Sequence, residues 1–293
     1  MKVSGFTFIR NGSSLGYPFI ESIQSVLPIC DEFIIALGRS EDDTLNKIRA
    51  LKSKKIKIIE TLWNENISDR GFVYAQQKMI AQYNCSGDWA FYLEGDEIID
   101  PKDHKKIVAS MRQYLNNKDV EALAFNYLHF YGSPDWLAIS PGWYRKECRI
   151  IRNNIRSWDP DSLYFLIMDK NKEGRYPRAA LVDAFIYHYG HVRKSIYMNK
   201  KLKKVGKYWG HKHAQFNHYQ IDPKALKKYD GKHPLLIKNW LKKHAEKTFL
   251  IDTHYQPNFR DIRHRLIMKL EKFFNVEISK KHYRLIKNIS SEK

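Results

Sequence analysis

Asp88-Trp89-Ala90-Phe91-Tyr92-Leu93-Glu94-Gly95-Asp96-Glu97-Ile98-Ile99 is an apolar run that ends in three carboxylates with a glycine among them. The run reads as a strand that carries its side chains into a sheet. Glu94, Asp96 and Glu97 then stand at its C-terminal end, the side of an α/β sheet on which ligands bind. Hard carboxylate oxygens beside a crevice suit a divalent cation holding a phosphate. The same residues also describe a solvated acidic turn after a buried strand.

Upstream of this stretch, strand and helix signals alternate. Residues 3–9 are a β-branched and aromatic run, and after the turn at Asn11-Gly12-Ser13-Ser14 residues 17–26 place Phe19, Ile20, Ile23 and Val26 at helical spacing until Pro28 closes the helix. Residues 33–37 are a short apolar strand, 44–51 a helix, 56–62 a third strand and 72–83 a third helix. The pattern β-α-β-α-β-α-β requires right-handed crossovers and a largely parallel sheet covered on both faces. Three polar loops then converge on one edge: Arg10-Asn11-Gly12, Arg39-Ser40-Glu41-Asp42-Asp43-Thr44 and Glu94-Gly95-Asp96-Glu97. A nucleotide can lie across all three, and Ser40 or Asp42 equally suits the cap of the following helix.

With 293 residues, 43% of them hydrophobic, the chain can bury one sizeable core and a smaller appended unit. No apolar run approaches the roughly 18 residues of a membrane-spanning helix, and the first residues read as a strand rather than a signal peptide, which predicts a cytoplasmic protein. Cys30, Cys85 and Cys148 lack pairing or metal-ligand spacing and read as small buried hydrophobes. Charge divides the chain. Residues 195–293 hold 24 Lys and Arg against 8 Asp and Glu, a net +16 of the total +19. This predicts an α/β domain over 1–194 and a basic, mainly helical region over 195–293 that sits beside something anionic.

In order and spacing, residues 3–193 resemble a family 2 glycosyltransferase, a nucleotide-sugar-dependent enzyme of the GT-A fold. The resemblance rests on Ile9-Arg10-Asn11, the Ser40-Glu41-Asp42-Asp43-Thr44 loop, Arg70-Gly71 followed by Gln76-Gln77-Lys78, and Gly87-Asp88-Trp89 leading into the acidic motif. It implies that Arg10, Asn11, Ser40, Asp42, Arg70, Lys78 and Glu94 face the donor, and that Asp96 anchors Mn²⁺ or Mg²⁺ with the diphosphate, Glu94 assisting. The chain departs from the family's pattern in having Glu94 where aspartate is commoner, and Leu37-Gly38 in place of paired aspartates.

Farther along, Trp143 to Asn153 resembles the family's R-x-x-R-N strand. Arg149 and Arg152, three apart on a strand, point to opposite faces, so at most one meets the diphosphate. Ser157-Trp158-Asp159-Pro160-Asp161 lies where the resemblance places the base: Asp161 is the first candidate, Asp159 the second because it precedes proline, and Trp158 suits stacking on an acceptor sugar. The same segment also reads as a capped turn. In Tyr187-His188-Tyr189-Gly190-His191-Val192-Arg193, Gly190 predicts a turn, His188 is a candidate third metal ligand and Arg193 a diphosphate contact. The resemblance thus implies an inverting transfer from a nucleotide-sugar to a saccharide or lipid-linked acceptor, in surface polysaccharide or glycoconjugate synthesis. The basic C-terminal third also fits a nucleic-acid-binding protein, but no zinc-ligand, recognition-helix or RNP-like signature is present and the acidic cluster repels phosphate unless a cation intervenes, so nucleic acid is not an expected partner. A catalytically inactive sugar-binding relative is the other alternative.

In the basic region, residues 195–207 and 235–249 read as helices. Residues 259–274 are amphipathic, with Ile262, Leu266, Leu270 and Phe273 or Phe274 in a stripe among Arg260, Arg263, Arg265, Lys269 and Lys272. That stripe either packs on the catalytic domain or meets an anionic membrane surface, with the enzyme peripheral on the inner face.

Overall fold

Residues 3–92 fold as their apolar spacing predicts. In the computed structural model, which describes residues 1–209 and 220–286, β1 (Val3–Ile9), α1 (Phe19–Val26), β2 (Glu32–Gly38), α2 (Thr44–Arg49), β3 (Ile56–Thr61), α3 (Phe72–Tyr83) and β4 (Trp89–Tyr92) follow in turn. β1 pairs in parallel with β2 and β4, and β2 with β3. The resulting order β3-β2-β1-β4 brings four C-terminal strand ends to one edge. Helices cover both faces. Phe19, Ile23 and Val26 of α1 pack on one with Phe33, Trp89 and Phe91, while Ala81 of α3 and Cys85 just beyond it pack on the other with Phe6, Ile34 and Tyr92. Truncating a wholly buried ring such as Phe91 to alanine removes about 3–5 kcal/mol.

The sheet then becomes mixed. After β5 (Glu97–Ile99) and α4 (His104–Gln113) come β6 (Ala122–Tyr131), β7 (Trp136–Ala138) and β8 (Lys146–Arg152). β8 runs antiparallel to both β4 and β6. A small separate sheet holds β9 (Ser157–Trp158), β10 (Leu166–Met168) and β11 (Gly174–Arg175). The long β12 (Arg178–His191) lies parallel to β6 and antiparallel to β5. It runs through Gly190, so the expected turn is a β-bulge instead, with register shifting between His188 and His191. A Cβ at Gly190 would sit 2.6 Å from His188 Nε2, and glycine is what lets the two residues share the bulge.

α5 (Ser195–Val205), β13 (Leu226–Lys228), α6 (Lys238–His244), α7 (Phe259–Phe274) and β14 (Arg284–Leu285) complete the described chain. β13 pairs with β7 and β14 with β12, so the large sheet draws strands from both sides of residue 194. The helix expected over 235–249 covers only α6 after a 3₁₀ turn at Leu235–Ile237. It stops because Ala245 bridges to Arg193, with Lys194 N–H donating to the His244 carbonyl at 2.9 Å and Glu246 N–H to Val192 at 2.7 Å. All three cysteines are buried and free. Among the described residues no helix is long and apolar enough to cross a membrane.

α7 does not turn its apolar stripe inward. Its buried residue is Glu271, whose carboxylate accepts two 2.8 Å bonds from Arg145, and Arg265 grips Asp222 through two bonds of 2.7 Å. Ile262 is 55% exposed, Leu266 57% and Phe273 81%. A capping box between Asn258 and Asp261 starts the helix.

Candidate functional site

The loop after β4 is pinned at its backbone. Thr7 Oγ1 donates to the Leu93 carbonyl at 2.6 Å, Ser22 Oγ to Glu94 at 2.8 Å, and Tyr189 N–H to Asp96 at 2.8 Å. Of the three carboxylates expected at the sheet edge, Glu97 turns inward. Arg149 Nε and Nη2 meet its two oxygens at 2.9 and 2.7 Å, and Tyr127 Oη donates at 2.8 Å. This wholly buried pair is strongly held, since removing either partner strands a charge away from water. Arg149 Nη2 also reaches Glu94 Oε1 at 3.2 Å, so Arg149 is the arginine of its strand that faces the acidic loop. Arg152 points the other way and donates to the carbonyls of Val120, Leu115 and Asn117 as a brace.

Glu94 and Asp96 remain at the mouth. Burial, with the carboxylates of Glu97 and Asp96 beside it, pushes Glu94 up to about 8 against the pull of Arg149. Burial also works to raise Asp96, but Lys201, His188 and Arg193 outweigh it and bring its carboxyl down to about 2. Arg193 Nη2 lies 3.3 Å and Lys201 Nζ 3.8 Å from Asp96 Oδ2, while His188 Nε2 lies 3.7 Å from Oδ1.

His188 on β12 stands opposite His129 on β6. His129 Nε2 is 2.7 Å from the Tyr144 carbonyl, which can only accept, so that nitrogen carries the hydrogen. Burial holds both rings neutral by lowering their pKa values. His129 Nδ1 is therefore a bare acceptor, and His188 Nδ1, 2.8 Å away, must donate to it. That leaves the lone pair of His188 on Nε2, facing Asp96. One ligand atom each from Glu94, Asp96 and His188 lies within 4.8 Å of the others. Two carboxylates and a neutral imidazole with its second nitrogen already bonded fit a divalent cation.

With His188 next to Asp96 but outside the lining, Glu94 and Asp96 open into a cleft of about 840 Å³. Its floor is Phe8, Ile9, Tyr92 and Gly95, and one wall is Trp63, Tyr74, Tyr208 and Trp209. Trp63 sits edge-on to Tyr74 and Tyr208 with centroids 5.1 and 5.5 Å apart. Gly38 makes room for it, since a Cβ there would lie 2.4 Å from Trp63 Nε1. Lys200, Lys201, Lys204 and Lys207 line the cleft as well, and Lys207 Nζ lies beside the aromatic wall, 4.8 Å from the centre of the Tyr208 ring. Lys200, Lys201 and Lys204 come from α5 and Lys207 from the 3₁₀ turn after it.

The other expected site residues divide. Arg10 lies in the cleft, over Trp63 and bonded to Glu65 and to Tyr208 Oη at 3.1 Å. Asn11, with a positive φ of 53°, lines it as well. Ser40 and Asp42 brace this loop: Asn11 N–H donates to Ser40 Oγ at 3.0 Å and Ser14 N–H to Asp42 Oδ2 at 2.7 Å. Asp42 Oδ1 also accepts from Thr44 N–H at 3.0 Å, although the N-cap of α2 is Asp43, whose side chain makes no cap bond. Arg193 is wholly buried behind Asp96, where it also bonds the carbonyls of Gly190 and Leu15. Lys78 is wholly buried too, paired with Asp159 and donating to the Ser162 carbonyl at 3.0 Å. Arg70 is exposed and outside the cleft lining, while neighbouring Gly71 donates to the Tyr208 carbonyl at 2.8 Å and so ties the aromatic wall to α3.

Asp161 is half-buried, with Oδ1 accepting from Leu163 N–H at 3.0 Å, and it adjoins Ser162 and Leu163 of the cleft rim. Burial raises its carboxyl above the ordinary value. Trp158 lies in the small sheet opposite Leu166 and close to Gly174, away from the cleft lining. His129, Trp63, Tyr208 and Lys201 escaped the sequence reading. The lysines of residues 195–207 were visible as a basic run, though nothing in that run showed that it lines the cleft.

No family model matches this sequence, and no curated protein does. Among solved structures, the chain is similar to S. aureus TarS 1-349, at 14% identity and a TM-score of 0.37 over 65% of this chain and 58% of that one. It is also similar to glucosyl-3-phosphoglycerate synthase from Mycobacterium tuberculosis, crystallised with Mn²⁺, UDP and glucosyl-3-phosphoglycerate, at 16% identity and a TM-score of 0.32 over 43% and 44%. The matched part spans less than two thirds of either protein.

Proposed function

We propose that this chain is an inverting glycosyltransferase of family 2 and GT-A type that carries a sugar from a nucleotide donor to a saccharide or lipid-linked acceptor. The observation that carries the reading is the convergence of Glu94, Asp96 and His188 Nε2 beside a cleft lined by lysines and by aromatic rings. Aromatic faces suit a nucleobase, ammonium groups suit a diphosphate, and Glu94, Asp96 and His188 would hold a divalent cation. When bound, Mn²⁺ or Mg²⁺ would offset the charge that gathers on the departing nucleoside diphosphate. The imidazole ligand favours Mn²⁺, because Mg²⁺ takes oxygen.

The chain's own groups do the rest. Lys201 and its neighbours on α5 hold the leaving diphosphate. Asp161, its basicity raised by burial, takes the proton of the acceptor hydroxyl as that oxygen bonds to the anomeric carbon. The bond from that carbon to the diphosphate breaks on the other face, which inverts the centre. Calorimetry of the full chain with UDP, GDP and ADP, in Mn²⁺ and in EDTA, tests the reading. For the preferred nucleotide, EDTA or Asp96→Asn should weaken binding about tenfold or more, as should Lys201→Met in the presence of Mn²⁺. Equal affinity in EDTA and Mn²⁺ would remove the cation from the reaction. Metal-dependent binding without donor hydrolysis or transfer would indicate an inactive relative.

A further inference from the structure

The outer face of α7 is an exposed apolar feature of the described residues that the cleft leaves unexplained. At 100° per residue Phe259, Ile262, Leu266, Leu270, Phe273 and Phe274 fall on one side of the helix, and every one of them is exposed. The helix cannot roll to hide them. Arg265 is fixed to Asp222 and Glu271 to Arg145 on the inward side. Both acidic residues of α7 are engaged there as well, Glu271 by Arg145 and Asp261 by Tyr255 and its own capping box. Arg260 and Lys269 flank the stripe and Arg263 falls within it, all three exposed, so the charge that α7 presents on this face is positive.

We propose that this face lies in the surface of a bilayer that contains anionic phospholipid. A helix with an apolar stripe, a cationic border and little overall hydrophobicity rests in the interface plane with its stripe sunk about 5–10 Å. Sixteen residues give a helix about 24 Å long, and its charges prevent it from spanning. Charge selects the occupant. A second copy seated on the same face would bring its own arginines and lysines against these, whereas anionic headgroups neutralise them. The apolar surface continues past the helix in Val276 and Ile278, both about half exposed.

Flotation of the full chain with phosphatidylcholine vesicles, with and without phosphatidylglycerol, tests this and needs neither donor nor cation, so it stands apart from the reading of the cleft. Binding should require phosphatidylglycerol and fall about tenfold or more between roughly 50 and 500 mM salt. Leu266→Gln with Phe273→Gln should cut partitioning about tenfold or more while leaving the melting temperature unchanged, since both side chains are already exposed. Arg263→Glu with Lys269→Glu should erase the preference for the anionic lipid. Absence of binding at low salt, or binding indifferent to the stripe variant, overturns the proposal. So does a dimer in light scattering that the stripe variant dissolves, which would make this face a contact between copies.

Discussion

Replacing His129 with phenylalanine separates the cation site from the packing around it. The ring of His129 lies 5.1 Å from Tyr127, 5.2 Å from Trp143 and 4.7 Å from Tyr144, a pocket that another flat ring fills. What disappears is the acceptor that makes His188 donate from Nδ1, and with it the fixed lone pair on Nε2. Partners that orient a metal-bound histidine are worth 10- to 100-fold in affinity, about 1.4–2.7 kcal/mol. The buried Tyr144 carbonyl also loses its donor, which costs about 1–3 kcal/mol of stability, so a lowered melting temperature alone proves nothing. The decisive measurement is Mn²⁺ affinity, read from the electron spin resonance of the free ion, in the wild type, His129→Phe, His188→Ala and the double variant. If His129 acts through His188, the double variant binds Mn²⁺ no worse than His188→Ala. Additive losses, or an unchanged affinity in His129→Phe, would refute the tautomer argument.

Glu32 joins the N-terminal strands through Ser4 Oγ at 2.7 Å, Ser86 Oγ at 2.6 Å and Lys57 at 2.6 Å. Burial works to raise its carboxyl, but these bonds overcome it and hold the group at about 2, below its ordinary 4.5. A carboxylate depressed in the folded state stabilises fully above the unfolded value and loses that contribution as pH falls from about 4.5 towards about 2. Melting temperature should decline through that window in the wild type and less steeply in Glu32→Gln; parallel curves would show that the acid limb belongs to other groups. Within the turn after β9, Asp161→Asn should lower turnover about 100-fold or more with donor affinity nearly unchanged. Asp159→Asn should instead destabilise the fold by about 3–5 kcal/mol, because it strands the buried Lys78 charge. A stable but inactive Asp159→Asn would reverse the two roles.

Apolar spacing marked β1 to β4 and the three helices between them because each is a local pattern of strand and helix periods, with Pro28 closing the first helix. The acidic motif was legible for the same reason. Its inner geometry was not. Which carboxylate faces the cleft is decided by Arg149, 52 positions from Glu97, and nothing near Glu97 in sequence announces it. The stripe of α7 was equally plain, but its direction is set by Asp222 and Arg145, 43 and 126 residues from their partners on the helix. Gly190 misled because a glycine within an apolar run signals a turn and a bulge alike, and only pairing with β6 tells them apart. Lysines of residues 195–207 declare a charge without declaring what it faces; Lys201 acquires its place from Asp96.

β14 and the buried contact of His282 with Glu147 tie a late stretch of the chain to the centre of the sheet. The order of synthesis therefore matters. β1 to β4 meet through neighbouring segments and are free to collapse while the ribosome is still extending the chain, whereas the edge of β12 near Arg178 and Ala179 waits more than a hundred residues for Arg284 and Leu285. Until then the nascent protein presents an open strand edge and a Glu147 carboxylate without its imidazole partner, the state most exposed to aggregation and to holding by chaperones. Deletion from residue 282 onward would be a folding lesion, felt in yield before it is felt in chemistry.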